Sequence, residues 1–131
     1  MYLIDTNIAI HLRDGLEPVL DKVAEHRDAV AMSALSLAEL QRGLYKSPQL
    51  WAIRQARLAV ILRSIPVLPF DAVAAEAYGQ VIAQIGWAKG RDFDRMIAAH
   101  AISSDRILVT ANTTDFADVP GLAIENWALG A

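Results

Sequence analysis

Four short apolar runs, each cut off by polar residues, constrain this chain's fold more than anything else in it: Tyr2-Leu3-Ile4, residues 29–32, Val67-Leu68-Pro69-Phe70 and Ile107-Leu108-Val109. Continuous runs without polar alternation suit strands buried on both faces, which is the condition of a parallel sheet covered by helices on either side. The intervening segments carry helical spacing. Residues 8–12 read as a brief helix closed near Gly15, and Pro18 fits the first turn of one reaching about His26, with Leu20, Val23 and Ala24 inward. Ser36-Leu37-Ala38-Glu39 opens a helix that aligns Leu37, Leu40 and Leu44. Pro48 begins the next, with Leu50, Ile53, Leu58, Ile61, Leu62 and Ile65 as its apolar positions. Asp71 caps a helix through Val81, Ile82 and Ile85, and Gly86 and Gly90 bracket a turn. Asp92 caps a helix that turns Ile97, Ala98, Ala101 and Ile102 inward, and residues 122–124 supply a short last strand. Strands alternating with helices indicate an α/β domain. A length of 131 residues fits one such domain, so residues 1–131 read as a single unit.

Composition excludes several classes. There is no cysteine, so disulfides, thiolate nucleophiles and thiolate metal sites are ruled out. The longest run without Asp, Glu, Lys or Arg is residues 77–88, short of the roughly 18 apolar residues a spanning helix needs. The opening Met-Tyr-Leu-Ile-Asp has no signal-peptide pattern, and a cytoplasmic protein without membrane attachment is expected. A net charge of −3 argues against nucleic-acid binding if taken as a total. Its distribution argues otherwise: residues 40–70 hold no acid but carry Arg42, Lys46, Arg54, Arg57 and Arg63. A stretch of one sign can serve as a rail for phosphates, with Arg42 and Lys46 as candidate RNA contacts, or it can simply be a solvated helix face.

In open parallel sheets, sites gather at the carboxyl ends of the strands. Asp5 directly follows the first strand, Glu39 lies in the first turn of the helix after the second, and Thr110, Asn112 and Asp115 follow Ile107-Leu108-Val109. The helix carrying Asp94 feeds that last strand and so runs opposite to it, which returns Asp94 to the same rim. Two carboxylates about 5 Å apart repel by roughly 3 kcal/mol at an effective dielectric of about 20. Either a cation sits among such acids or one of them stays protonated. Oxygen donors alone suit Mg²⁺ or Mn²⁺, and such an ion can activate water and offset charge on a phosphodiester. Each acid also has a plain alternative. Asp5 can form a turn, Asp94 gains from its helix dipole, Asp115 can be a turn residue, and Glu39, three after Ser36, can close a capping box. His11, His26 and His100 are too dispersed to pair as ligands, and His100 reads as a packed histidine.

Five segments in order carry a resemblance: Leu3-Ile-Asp5-Thr-Asn7, Ser36-Leu-Ala-Glu39-Leu, Asp94-Arg-Met-Ile-Ala-Ala-His100-Ala, Ile107-Leu-Val-Thr110-Ala-Asn112-Thr-Thr-Asp115-Phe and Val119-Pro-Gly-Leu-Ala-Ile-Glu-Asn-Trp127. Together they are similar to the PIN-domain toxins of bacterial toxin–antitoxin modules, in the VapC branch. The resemblance implies a three-layer α/β/α domain with a mostly parallel sheet of about four to five strands. It implies Mg²⁺-dependent endonucleolytic cleavage of RNA, often a structured RNA such as tRNA, with Mn²⁺ able to substitute. Asp5 and Asp94 become the principal metal ligands and Glu39 the third acid, with Thr6 and Thr110 as polar support. The family's fourth acidic position falls on Asn112, which offers an oxygen but no charge, and Asp115 is near enough in sequence to substitute. A homodimer and a cognate protein antitoxin are implied as well.

Three other readings compete. A haloacid-dehalogenase-type phosphohydrolase wants a second acid two residues after Asp5, where Asn7 stands. A receiver-like signalling domain needs an acceptor at the end of its central strand and a Lys near the last, which Ser33 and Thr110-Ala111 do not supply. A catalytically silent PIN-fold binding module is disfavoured by the intact Asp5, Glu39 and Asp94.

Overall fold

A computed structural model describes residues 1–129; residues 130–131, included in the single-domain expectation, lie outside the described residues. Five strands form one sheet in the order β3-β2-β1-β4-β5, and every neighbouring pair is parallel. They are β1 (Tyr2–Ile4), β2 (Val30–Ser33), β3 (Val67–Leu68), β4 (Ile107–Val109) and β5 (Ile124–Glu125). Seven α-helices connect them: α1 (Thr6–Arg13), α2 (Glu17–Glu25), α3 (Ala34–Lys46), α4 (Trp51–Ser64), α5 (Ala72–Ile85), α6 (Asp92–Ser103) and α7 (Thr113–Phe116).

Successive strand residues serve opposite faces, and both faces are covered. Ile4, Val30, Met32 and Val109 join a core with Ile8, Val19, Leu40, Leu44, Leu58 and Ile61 from α1 to α4. Leu3, Ala31 and Leu108 pack on the other side against Val81, Ile97, Ala98 and Ala101 from α5 and α6. The apolar runs are continuous because neither side of the sheet meets water. That gives three layers, α/β/α, as expected. Among the described residues no helix is long and apolar enough to cross a membrane.

Several local expectations are corrected. The helix after β2 starts at Ala34, not Ser36: Ser33 caps it, its hydroxyl accepting from the Leu35 amide at 3.1 Å. Glu39 therefore sits in the second helical turn, and the capping-box alternative falls away. In α2 the inward residues are Val19 and Val23, while Leu20 and Ala24 face solvent. Pro48 begins only a 3-10 turn, and Leu50, Ile53 and Leu62 are exposed. Strand β3 stops at Leu68 because Pro69 has no N–H to extend the ladder. The last strand is shifted to Ile124–Glu125. Asp92 does not cap α6 but is its first residue, and its carboxylate serves side chains instead. Asp71 does cap α5, its Oδ1 accepting from the Ala74 amide at 2.9 Å.

Candidate active site

Strand register decides which polar residues meet. Ile4 pairs with Met32 on one side and Val109 on the other. The next residues, Asp5, Ser33 and Thr110, therefore stand side by side at the carboxyl rim. The Asp5 amide donates to the Val109 carbonyl at 2.9 Å and carries the ladder one residue further. Its carboxylate caps α1, Oδ1 accepting from the Ile8 amide at 2.9 Å. Asp5 is only 5% exposed. Burial pushes its carboxyl above the ordinary value; the Thr110 hydroxyl and the Ile8 amide pull back, and the Asp94 charge pushes up again.

Asp94 stands half-buried in the first turn of α6. Its carboxyl is also raised, by burial first, then by Asp115 and Glu39, against a pull from Arg91 and Arg95. Glu39 Oε1 accepts from the Thr6 hydroxyl at 2.6 Å, and that hydroxyl lies 3.1 Å from the buried Ser36 hydroxyl. The other Glu39 oxygen is 3.8 Å from Arg42. Asp115 lies on α7, 3.8 Å from Arg91. Asn112 is exposed; its backbone amide donates to Thr110 Oγ1 at 3.0 Å, and its side chain caps no helix. His100 is buried, its Nδ1 2.9 Å from Ser33 Oγ, and burial pushes its pKa down.

Asp5, Thr6, Glu39 and Asp94 share one cleft of about 430 Å³ with Arg13, Arg42, Lys46 and Arg54. Helical spacing explains the company. Thr6, Ile10 and Arg13 recur at i, i+4, i+7 along α1, and Glu39, Arg42, Gly43 and Lys46 at i, i+3, i+4, i+7 along α3. Two helices thus each present one polar stripe to the same space. Sequence reasoning misses Arg13 and names Arg54 only as one cation of the acid-free stretch, without placing it beside the acids. Counting seven residues on from Thr6 finds Arg13; Arg54 sits on a different helix, and only the packing brings it in.

Among the described residues no three His, Asp or Glu side chains are gathered closely enough to hold a metal ion as they stand. Asp94 nevertheless pushes the Asp5 carboxyl up, and Asp115 and Glu39 push Asp94 up, which marks a local excess of negative charge. Carboxylate oxygens without sulfur are the donors that hard divalent cations take, and a cation would relieve that excess.

Residues 2–122 match the PIN domain family. The chain is 33% identical to Ribonuclease VapC2 of Rickettsia felis, over 97% of this chain and 98% of that protein. It is 36% identical to the tRNA(fMet)-specific endonuclease VapC of Shigella flexneri, over the same shares of the two chains. The crystal structure of VapBC2 from Rickettsia felis bound to a DNA fragment from their promoter superposes with a TM-score of 0.85 at 30% identity, covering 96% of this chain and 98% of that one.

Proposed function

Since the chain belongs to the PIN-domain family, as a ribonuclease of its VapC toxin branch, we propose that Asp5, Glu39 and Asp94 hold a Mg²⁺ ion at which RNA is cut. The supporting observation is the single cleft in which those three acids meet four cationic side chains. Such an ion supplies an activated water and offsets charge on the phosphodiester in the transition state. The chain's own groups do the rest. Thr6 fixes the Glu39 carboxylate, and the Ile8 amide orients Asp5. Asp115, beside Asp94, contributes the negative charge that Asn112 does not carry. Arg42, Lys46 and Arg54 take the phosphates that flank the cut, while the buried Arg13 is held by Asp14 at 2.9 Å.

Purified protein is expected to cleave RNA with Mg²⁺ or Mn²⁺, to stop when the ion is chelated, and to leave a simple phosphomonoester untouched. Turnover of the phosphomonoester with RNA left intact would point to a phosphohydrolase and overturn the reading. The substrate proposed is a structured RNA such as tRNA, following the Shigella relative. The partner proposed is a protein antitoxin, following the VapBC2 pair, and the homodimer is proposed from the family resemblance alone.

The cations carry their own prediction. Replacing Arg42 and Lys46 together by Ala should weaken RNA binding and flatten its dependence on log salt, by about 0.7 for each phosphate of a single strand that is no longer neutralised. Binding measured over a salt series checks it. An unchanged slope returns both residues to solvated helix faces.

A further inference from the structure

The catalytic reading leaves two exposed aromatic side chains without a use: Phe93, in a cleft with Glu39 and Asp94, and Trp87, bonded to Asp92. A smaller cleft of about 270 Å³ opens between α3 and the start of α6, lined by Glu39, Arg42, Gly90, Asp92, Phe93 and Asp94. Three of those residues, Glu39, Arg42 and Asp94, also line the main cleft. Phe93 lies four residues before the buried Ile97, on the same helical stripe, yet it is 40% exposed. Ile97 belongs to the core against the sheet, and one turn earlier the stripe has run past the sheet's rim. Nothing in the described chain covers the Phe93 ring fully.

Trp87 is 62% exposed but tethered. Its Nε1 donates to Asp92 Oδ1 at 2.8 Å, and the Tyr78 hydroxyl donates to the same oxygen at 3.2 Å. Gly86 and Gly90, each at φ +82°, turn the chain on either side of it. Asp92 is thus spent on holding an indole next to a cleft of which it is itself a wall.

We infer that this smaller cleft is a nucleobase subsite, in which Phe93 stacks on an unpaired base of the RNA beside the cut, and Trp87 on a neighbouring base. The inference rests on the proposal that the adjoining acids are the cutting site. Its walls favour a base over an apolar protein anchor, because the aromatic face is set among Glu39, Arg42, Asp92 and Asp94. A base offers a π-face to Phe93 and exocyclic donors to carboxylates, and its phosphate can reach Arg42 on the same wall. Stacking of this kind tolerates any base but requires it to be unpaired, so the subsite selects loops and single strands.

The test uses full-length protein with Asp5→Asn to prevent cleavage, which leaves every wall of the smaller cleft in place, and measures by anisotropy the binding of a labelled, unpaired oligoribonucleotide in Mg²⁺. Phe93→Ala is expected to raise Kd about tenfold, with the salt slope unchanged, and Phe93→Trp to restore binding. On the same strand made abasic through its central segment, the effect of Phe93→Ala should vanish. An unchanged Kd, or an equal loss on the abasic strand, overturns the subsite while leaving the acids' role intact. A shift of molecular mass in light scattering on Phe93→Ala gives the ring to a protein interface and also overturns it. If the parent protein neither cleaves nor binds RNA, the catalytic reading fails and the subsite falls with it.

Discussion

Asp94→Asn is expected to lower RNA cleavage by on the order of 10²–10³-fold or more, the range seen when a group that stabilises transition-state charge is removed, while the protein stays folded. The substitution takes away one charge at nearly constant volume in the first turn of α6. Its neighbours make the outcome specific. Asp94 is raised by burial, by Asp115 and by Glu39, so the metal-free protein gains from losing that charge even as the reaction loses it. Activity and metal-free stability should therefore move in opposite directions. The pH dependence follows the same sign. Asp5 and Asp94 both titrate above 3.8 in the folded state, so above that pH the folded chain holds more protons than the unfolded chain. Their joint contribution to stability then falls as pH rises from 3.8 through the raised values. Melting curves of parent and Asp94→Asn with chelator should accordingly diverge in the variant's favour across that window. Mg²⁺-dependent cleavage surviving in a folded variant would sink the site assignment.

Trp127→Ala is expected to cost about 3–5 kcal/mol, the range for truncating a large buried aromatic. Against a total of about 5–15 kcal/mol for a domain, that is enough to bring the protein close to unfolding. Trp127 is 2% exposed, 4.9 Å between ring centres from Tyr2 and stacked on His26 at 5.4 Å. Its Nε1 also donates to Glu125 Oε1 at 3.0 Å. Removing it opens a cavity against β1 and releases the segment that follows β5. The damage reaches from Tyr2 at the start of β1 to the end of β5, where the Glu125 carbonyl accepts from the Thr110 amide at 2.9 Å. A urea midpoint close to the parent's would remove Trp127 from the core.

Much of the rim is legible in the sequence because it depends on covalent adjacency. Asp5 follows Ile4 directly, Thr110 follows Val109, and a parallel ladder brings such positions together wherever the strands pair in register. The antiparallel return of α6 places Asp94 by the same logic. For Glu39 the sequence points to the right rim but the wrong turn. Ser33 and Ser36 are both good caps, and a cap is worth only about 1 kcal/mol either way. The sheet decides between them: β2 runs to Ser33, so the helix must begin there, which frees Glu39 from any capping role. Asp92 misleads for a related reason, since nothing local announces that Trp87 and Tyr78 will claim its carboxylate.

By itself the sequence determined the buried parallel sheet, the order of its acids along the chain and the absence of any sulfur ligand from cysteine. Each of these is a matter of residue type and spacing, which no packing can alter. Tertiary structure alone decided which stripe of α2 turned inward, Val19 and Val23 rather than Leu20 and Ala24, because both stripes have helical spacing and only docking buries one of them. It also brought Arg13 and Arg54, forty-one residues apart, into one cleft with the acids. Charge acts through space, and the distances that set its strength come into being only when the helices are laid against the sheet.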